Sequence, residues 1–465
     1  MRKQIIGLTA VIAAILFLGA NTSDAVEQLV GPTGVIRYSA EKAFDGYTLV
    51  SPGFSKTSYL LDMEGNVVHK WVTPYDPGLY AELLPNGNLL RGGKLNEAPV
   101  RFGGASGIVQ EIDWNGKVVW EWKEMSPTYV QHHTFCRMPN GNTLVLAWEY
   151  KSNEEAIARG REPKTLLWDG YLYNGVVHKG LWPDYVKEVS KEGKVVWEWH
   201  VWDHIGRGSD KIDINYILPQ TPMVSYMRVA DWTHCNTVGY IPETDQIILN
   251  SRNFGEFYLI NHKTGKIEYR WGNPCAHGKG RCPSWIDDGD QQLFGPHHVT
   301  RLDNGNFLIF DNGWFRPEGN RSRVLELDPK IDKIVWEYRP KIGNSFFTRY
   351  QGAAQRLPNG NTFITSSSQG HVFEVTGGKN PEVVWEWINP VGMNDQTKCF
   401  LEDSKDIVSL AEEVMVSNLH RAYRYGKDYP GLSGKDLTKK EPLAKGCPEM
   451  WRYYRDFEAA TKKAK

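Results

Sequence analysis

A basic excess is missing from this sequence: 54 Lys and Arg stand against 55 Asp and Glu, a formal net charge of -1. Neutralising a phosphate backbone needs a clear surplus of cations, so nucleic acid is excluded as the main partner. Beyond the N-terminus no segment is apolar enough to cross a membrane, which excludes stable insertion of the remaining chain. Several motif classes are absent too. There is no Walker loop, no H-E-x-x-H, no C-x-x-C-H and no C-x-P-x-R sulfatase segment, which Cys282-Pro283-Ser284-Trp285 fails to make.

What is present is the composition of a soluble, core-forming chain, 41% hydrophobic and 23% charged, which argues against disorder. Its outliers are 45 Gly, 18 Trp and 22 Tyr, a mix that favours many turns and aromatic-rich strands over long helices. A length of 465 residues suits either about three domains or one repeat fold. Arg2 and Lys3 precede an apolar run from Ile5 to Leu18, and the small residues Ser23 and Ala25 offer a cleavage point before Val26. Residues 1–25 therefore read as a secretory signal, and the mature chain is expected in the periplasm or outside the cell. In that oxidising setting Cys275 and Cys282, bracketing the loop CAHGKGRC, are spaced to close a disulfide. Cys399 and Cys447 flank a C-terminal extension and are placed to tie it down, whereas Cys136 and Cys235 sit in apolar stretches as buried thiols.

One sentence recurs six times along the chain. Its second half is a hairpin ending in an aromatic strand, as in EIDWNGKVVWEW (to Trp122), EVSKEGKVVWEW (to Trp199) and EVTGGKNPEVVWEW (to Trp387). Its first half is another hairpin, LLPNGNLL, RMPNGNTLVL, YIPETDQIIL, RLDNGNFLIF or RLPNGNTFIT, with Gly46 to Pro52 expected to supply an abbreviated sixth. Asn-Gly between apolar runs is a strong hairpin signal, predicted here to place both turn residues at positive φ. Two hairpins per repeat make a four-stranded antiparallel sheet, so the expected fold is all-β, a six-bladed β-propeller over 26–390. Its tryptophans are read as packing between blades. Segments 151–189 and 201–230 are insertions expected to fold over one face. Residues 391–465 form an extension that is helical in pattern from Pro448 and of no readable role.

Aligning the first hairpins on their turns brings histidines into register. Six residues before the turn-preceding Pro139 and Asp303 stand His133 and His297; in the fourth blade Asn236 takes that place, with His234 two residues earlier. Side chains two apart on a strand share a face, so these four are expected to point into one mouth of the channel. Antiparallel pairing sets Asn312 opposite His297, Trp148 opposite His133 and Arg252 opposite His234. His132 and His298 are expected on the other faces of their strands, unless a local bulge swaps either one with its neighbour. The remaining histidines, His420 among them, show no such register and are assigned to structure or surface.

An imidazole can attack while another moves a proton, and an Arg fork binds two oxygens of a tetrahedral anion. Together they suit sulfuryl or phosphoryl transfer through a histidine adduct. The same set also matches part of a metal site in a hydrolase or oxidase, although an Arg without a register-matched carboxylate suits a cation poorly. A non-enzymatic binding propeller is the other alternative.

Three segments, HHTFCRMPNGN (from His132), DWTHCNTVGYIPETDQIILNSRN (from Asp231) and GPHHVTRLDNGNFLIFDNG (from Gly295), together with the NG hairpins and WEW strands, resemble the bacterial arylsulfotransferases. The resemblance covers roughly Gly46 to Pro390. It implies a secreted six-bladed propeller that moves a sulfuryl group from an aryl sulfate donor to a phenolic acceptor through a sulfohistidine. No nucleotide and no other cofactor is implied. Carried over by motif, His297 is the nucleophile, while His133, His234, Asn236 and Arg252 bind the sulfuryl oxygens and handle the phenolic proton. Asn312, His298, His132 and Trp148 complete the expected pocket, no metal is assigned, and the family's short disulfide loop is similar to Cys275 with Cys282. Where family members carry His-Asp this chain has His297-His298, so either ring could attack; register favours His297. The donor, the acceptor and a homodimer stay open.

Overall fold

The Asn-Gly turns close hairpins in the computed structural model, which describes residues 31–173, 175–217, 230–339, 346–392, 396–401, 408–409, 414–415 and 418–446. The signal segment, Cys447 and the helical pattern from Pro448 lie outside them. In four of the turns only the glycine has positive φ: Gly87 at 84°, Gly141 at 86°, Gly305 at 91° and Gly360 at 85°. Each glycine N–H donates to the carbonyl three residues back, Gly87 to Leu84 at 2.9 Å for instance. These are therefore type I turns followed by a left-handed glycine, and not the two-residue turn with both central residues at positive φ.

Six antiparallel sheets result, forming a six-bladed propeller. Blade 2 runs Asp76–Leu83, Leu89–Lys94, Gly107–Ile112 and Val118–Lys123; blade 3 Tyr129–Arg137, Thr143–Glu149, Asp184–Val189 and Val195–His200. Blade 4 runs Cys235–Ile241, Gln246–Ser251, Glu256–Asn261 and Ile267–Trp271, and blade 5 His298–Arg301, Phe307–Asp311, Arg323–Asp328 and Lys333–Tyr338. Blade 6 is Ala353–Arg356, Thr362–Ser366, His371–Val375 and Val383–Ile388, edged by Gly34–Tyr38.

Blade 1 differs from expectation. Gly46–Pro52 is its second strand, followed by Thr57–Leu61 and Asn66–Val72, while its inner strand is Leu419–Gly426 from the C-terminal segment. The extension thus closes the ring, pairing Ala422 with Val50 and Tyr425 with Tyr47. Asp184–Val189, read as the end of an insertion, is the third strand of blade 3, so the inserted segment is 150–183. It leaves from the end of the blade where Trp148 pairs with Asp184. That is also the end at which the outer strand of blade 3 hands over to the second insertion, so both insertions leave the propeller from the same end.

Two repeated devices lock neighbouring blades. Outer-strand indoles donate to the next blade's turn: Trp71 Nε1 to Asp113 O (3.1 Å), Trp199 to Gly265 O (2.8 Å), Trp336 to Gly378 O (3.0 Å) and Trp385 to Met63 O (2.9 Å). A buried indole N–H left unpaired would cost about 1–3 kcal/mol, so these bonds fix how blades meet. Near the NG turns, Asn88, Asn142, Asn306 and Asn361 donate to Glu111, Glu188, Glu326 and Glu374. The other oxygen of each carboxylate faces a base from the next blade: Arg137 (2.7 Å), His262 (2.9 Å), Arg356 (2.9 Å) and Arg424 (3.5 Å). Apolar side chains fill each gap between blades, as Leu60 and Trp71 do against Leu83 and Ile112.

Candidate active site

His133 sits in a β-bulge between Gln131 and Phe135 of the inner strand of blade 3, and His234 immediately precedes the inner strand of blade 4; both are left-handed, at φ 50° and 43°. Left-handed backbone at a non-glycine residue costs energy that the surrounding structure must offset, and such residues cluster at functional sites. The bulge turns the His133 ring toward His234, with centroids 4.8 Å apart. It also moves the pairing: Trp148 pairs with Val130 and not with His133. His132 does not leave the site. It stacks on Trp148 at 3.7 Å, its Nδ1 is 2.8 Å from His133 Nδ1, and its Nε2 is 3.0 Å from Asp184 Oδ1. Behind the other ring, Asp231 Oδ2 accepts a hydrogen bond from His234 Nδ1. The carboxylate orients this imidazole so that Nε2 is the nitrogen left for chemistry.

His297 lies just before the inner strand of blade 5. Its Nδ1 donates to Asn312 Oδ1 (2.8 Å) and to Gly295 O (3.0 Å). Asn312 is held in turn, its Nδ2 donating to the carbonyls of Thr348 and Gln351 at 2.8 Å each. Both partners of Nδ1 are acceptors, so the proton belongs there and Nε2 carries the lone pair. Burial, with help from Arg252 and His234, holds the ring's pKa well below the ordinary value, so the ring is neutral. His133 is likewise held neutral by burial and by its neighbouring imidazoles.

Arg252 donates its backbone N–H to the His234 carbonyl at 3.1 Å and its Nη1 to Asn253 at 2.9 Å, with the guanidinium 4.5 Å from the Trp314 ring centroid. Arg349 lies at 4.6 Å from the same ring. Asn236 faces elsewhere than expected for an oxygen ligand. Its Nδ2 donates to Pro296 O (3.0 Å) and its Oδ1 accepts from Asn250 (2.6 Å), which fixes the residue preceding His297. His298 accepts from the Ala354 N–H at 3.3 Å and meets the Tyr423 hydroxyl at 3.3 Å.

The closing strand brings two residues that the sequence reading left out. Arg421 Nη2 donates to the carbonyls of His297 (2.8 Å) and Asn236 (3.1 Å) and to Thr237 Oγ1 (3.0 Å). His420, assigned above to structure or surface, is buried with its ring centroid 6.3 Å from that of His133. A spacing in the sequence marks it: HTFCR, HHVTR and HRAYR put His133, His297 and His420 each four residues before an Arg.

Among the described residues no three His, Cys, Asp or Glu side chains are grouped to hold a metal ion, and no helix is long and apolar enough to cross a membrane. Cys275 and Cys282 form a disulfide in the loop before His297, and Cys136 and Cys235 are free thiols. Cys399 is disulfide-bonded to a residue outside the described ones.

Among solved structures, a protein of unknown function from Bacteroides caccae is 12% identical, with TM-score 0.43, covering 81% of this chain and 98% of its own. An inactive virginiamycin B lyase from Staphylococcus aureus gives 10% identity and TM-score 0.39, covering 77% of this chain and 86% of its own. Arylsulfate sulfotransferase AssT of Escherichia coli O6:H1 is 24% identical over 330 residues, 59% of this chain and 51% of the relative. The chain thus spans about half the length of that curated relative. The family model described as Arylsulfotransferase (ASST) matches residues 171–397, a stretch that takes in His234, Arg252 and His297. Over that stretch, just under half of the chain, the sequence matches the arylsulfotransferase family.

Proposed function

We propose that this protein is an exported arylsulfate sulfotransferase that moves a sulfuryl group from a phenolic sulfate ester to a phenol, without a nucleotide, through a sulfohistidine on His297. The observation that carries this reading is the Nδ1–H of His297 held between Asn312 Oδ1 and Gly295 O, which leaves a neutral Nε2 lone pair at the mouth of the channel. In the first half-reaction Nε2 attacks sulfur and the bond from sulfur to the aryl oxygen breaks. The protonated His234, supported by Asp231, gives its Nε2 proton to the departing phenolate. The sulfonated ring keeps its Nδ1–H, and the two oxygens that accept it stabilise the positive charge the ring acquires.

In the second half-reaction neutral His234 takes the proton of the incoming phenol as its oxygen attacks sulfur. His297 leaves as a neutral ring and His234 returns to its protonated form, which gives ping-pong kinetics. The Arg252 guanidinium faces the sulfuryl oxygens as charge shifts among them, and His133 closes the pocket beside His234. Sulfuryl transfer, like phosphoryl transfer, has a loose transition state, so positioned charge and fixed geometry supply most of the rate. The disulfide of Cys275 with Cys282 supports export to an oxidising compartment.

The test is incubation with a chromogenic phenyl sulfate, with and without added phenol, followed by mass spectrometry of the peptide holding His297 and His298. Rapid phenol release that needs the acceptor, with an 80-dalton-class sulfuryl adduct on His297 trapped in its absence, is the expected result. Equal release without acceptor indicates hydrolysis, and an adduct on His298 moves the nucleophile.

A further inference from the structure

The inner-strand arginines define a common register. Arg137 and Arg424 each reach the third-strand Glu of the preceding blade, Glu111 and Glu374, from matching places on the inner strands of blades 3 and 1. Arg301 holds that place in blade 5 by its position before the NG turn. Four residues before these arginines stand His133, His420 and His297. His420 is therefore the blade 1 counterpart of two residues that already face the reaction, although its strand arrives from the far end of the chain.

Its surroundings argue against a packing role. His420 is 1% exposed, yet neither ring nitrogen has a hydrogen-bond partner among the described residues. A buried polar group left unpaired costs about 1–3 kcal/mol, and this ring has two. The backbone around it is firmly held. The His420 carbonyl accepts from Ser367 Oγ at 2.8 Å and from the Gly352 N–H at 3.3 Å, and Arg421 anchors the next residue to the His297 carbonyl. The ring is thus held at a fixed position, 6.3 Å from His133, with no hydrogen bond to the described protein groups. Burial, with Arg421, His297 and His298, keeps it neutral, so it offers one N–H and one lone pair.

We propose that His420 contacts the substrate, donating its ring N–H to a non-bridging oxygen of the sulfuryl group. This rests on the reading above. A sulfuryl group has three such oxygens, of which the Arg252 fork can serve two; an N–H from blade 1 approaches from a different side of the channel. His420 breaks and forms no covalent bond and exchanges no proton, and its contribution grows as charge on the oxygens rises. The arrangement also makes the finished site depend on closure of the ring, because the same strand supplies His420 and completes blade 1.

The test has two arms. In the first, calorimetry measures 4-nitrophenyl sulfate binding to His297→Asn and to that variant carrying His420→Leu or His420→Gln. The second follows turnover of the same ester with phenol by the otherwise native chain and its two His420 variants. The expected result is about tenfold or greater weakening by His420→Leu, the scale of one hydrogen bond to a charged group, with substantial recovery by His420→Gln, whose amide still donates. A larger loss in kcat than in binding is expected for the leucine variant. Unchanged binding and turnover in His420→Leu, a glutamine variant no better than leucine, or no binding of the ester by the parent would each overturn the proposal. If binding responds to His420 but the native chain transfers no sulfuryl group, the contact stands and the sulfotransferase reading falls. Where His420→Leu does not fold, His420→Phe takes its place.

Discussion

Asn312 Oδ1 lies 2.8 Å from His297 Nδ1, and the amide that places it there is itself donated to two backbone carbonyls. One side chain thus selects the tautomer and the orientation of the attacking ring. Asn312→Ala should leave the ester's affinity nearly unchanged and lower kcat by about a hundredfold, the usual cost of a reacting group displaced by an ångström. Steady-state kinetics beside a direct binding measurement separates the two. An equal loss in both would mean that Asn312 shapes the pocket and does not orient His297.

Asp231 bears the same relation to His234, and its effect should depend on the leaving group. With Asp231→Asn the carboxylate that supports a charged imidazole is gone, so proton donation to the phenolate weakens. The loss in kcat should fall in the range of about 10²–10⁴ usual for general acid–base groups. It should be smaller for 4-nitrophenyl sulfate, whose phenolate leaves readily unprotonated, than for phenyl sulfate. A loss of equal size with both donors would contradict an acid role for His234.

The fold was largely readable because its signals are local. Each NG turn lies a few residues from both strands it joins, so the hairpins, the blade count and the register of His133 and His297 follow by counting. What failed to follow is non-local or irregular. The inner strand of blade 1 pairs with Gly46–Pro52, whose partner lies some 370 positions later in the chain, so no adjacent turn announced Leu419–Gly426 or the residues it carries. Trp148 missed its expected partner because the bulge at His133 shifts the pairing, and nothing in the tripeptide His132-His133-Thr134 signals an extra residue. The turn type was misjudged for a related reason: Asn-Gly suits two turn geometries, and loop length decides between them.

Gly104 shows how closely His133 is held. The His133 N–H donates to Gly104 O at 3.1 Å, and a methyl group on Gly104, at φ 96°, would overlap the His133 ring. Gly104→Ala therefore has to displace that ring from its present position. It should reduce turnover by roughly one to two orders of magnitude, with a modest fall in melting temperature from the left-handed backbone. A full-rate Gly104→Ala enzyme would remove His133 from the reaction.

Glu82 gives a prediction about stability that is independent of the chemistry. It lies on the inner strand of blade 2 and accepts from the Tyr80 hydroxyl at 3.0 Å, while its Oε1 is shielded from solvent and unpartnered among the described residues. Burial pushes its carboxyl up to about 7, against the opposing pull of Tyr80 and Arg137. A folded-state pKa above the unfolded value means that the fold favours the protonated form. The associated stability is fully present below about pH 4.5 and is lost as pH rises through about 7. Glu82→Gln keeps an acceptor for Tyr80 and has no charge to bury, so its advantage over the native chain should be slight at pH 4.5 and reach roughly 2–3 kcal/mol at pH 8. The buried imidazoles of His132, His133, His297, His298 and His420 have lowered pKa values and oppose this trend, losing stability as pH falls below about 6.5. They are common to both proteins, so the difference in melting temperature between variant and native chain, measured at the two pH values, isolates Glu82. A difference that does not grow with pH would show that its carboxylate is ionised in the fold at neutral pH.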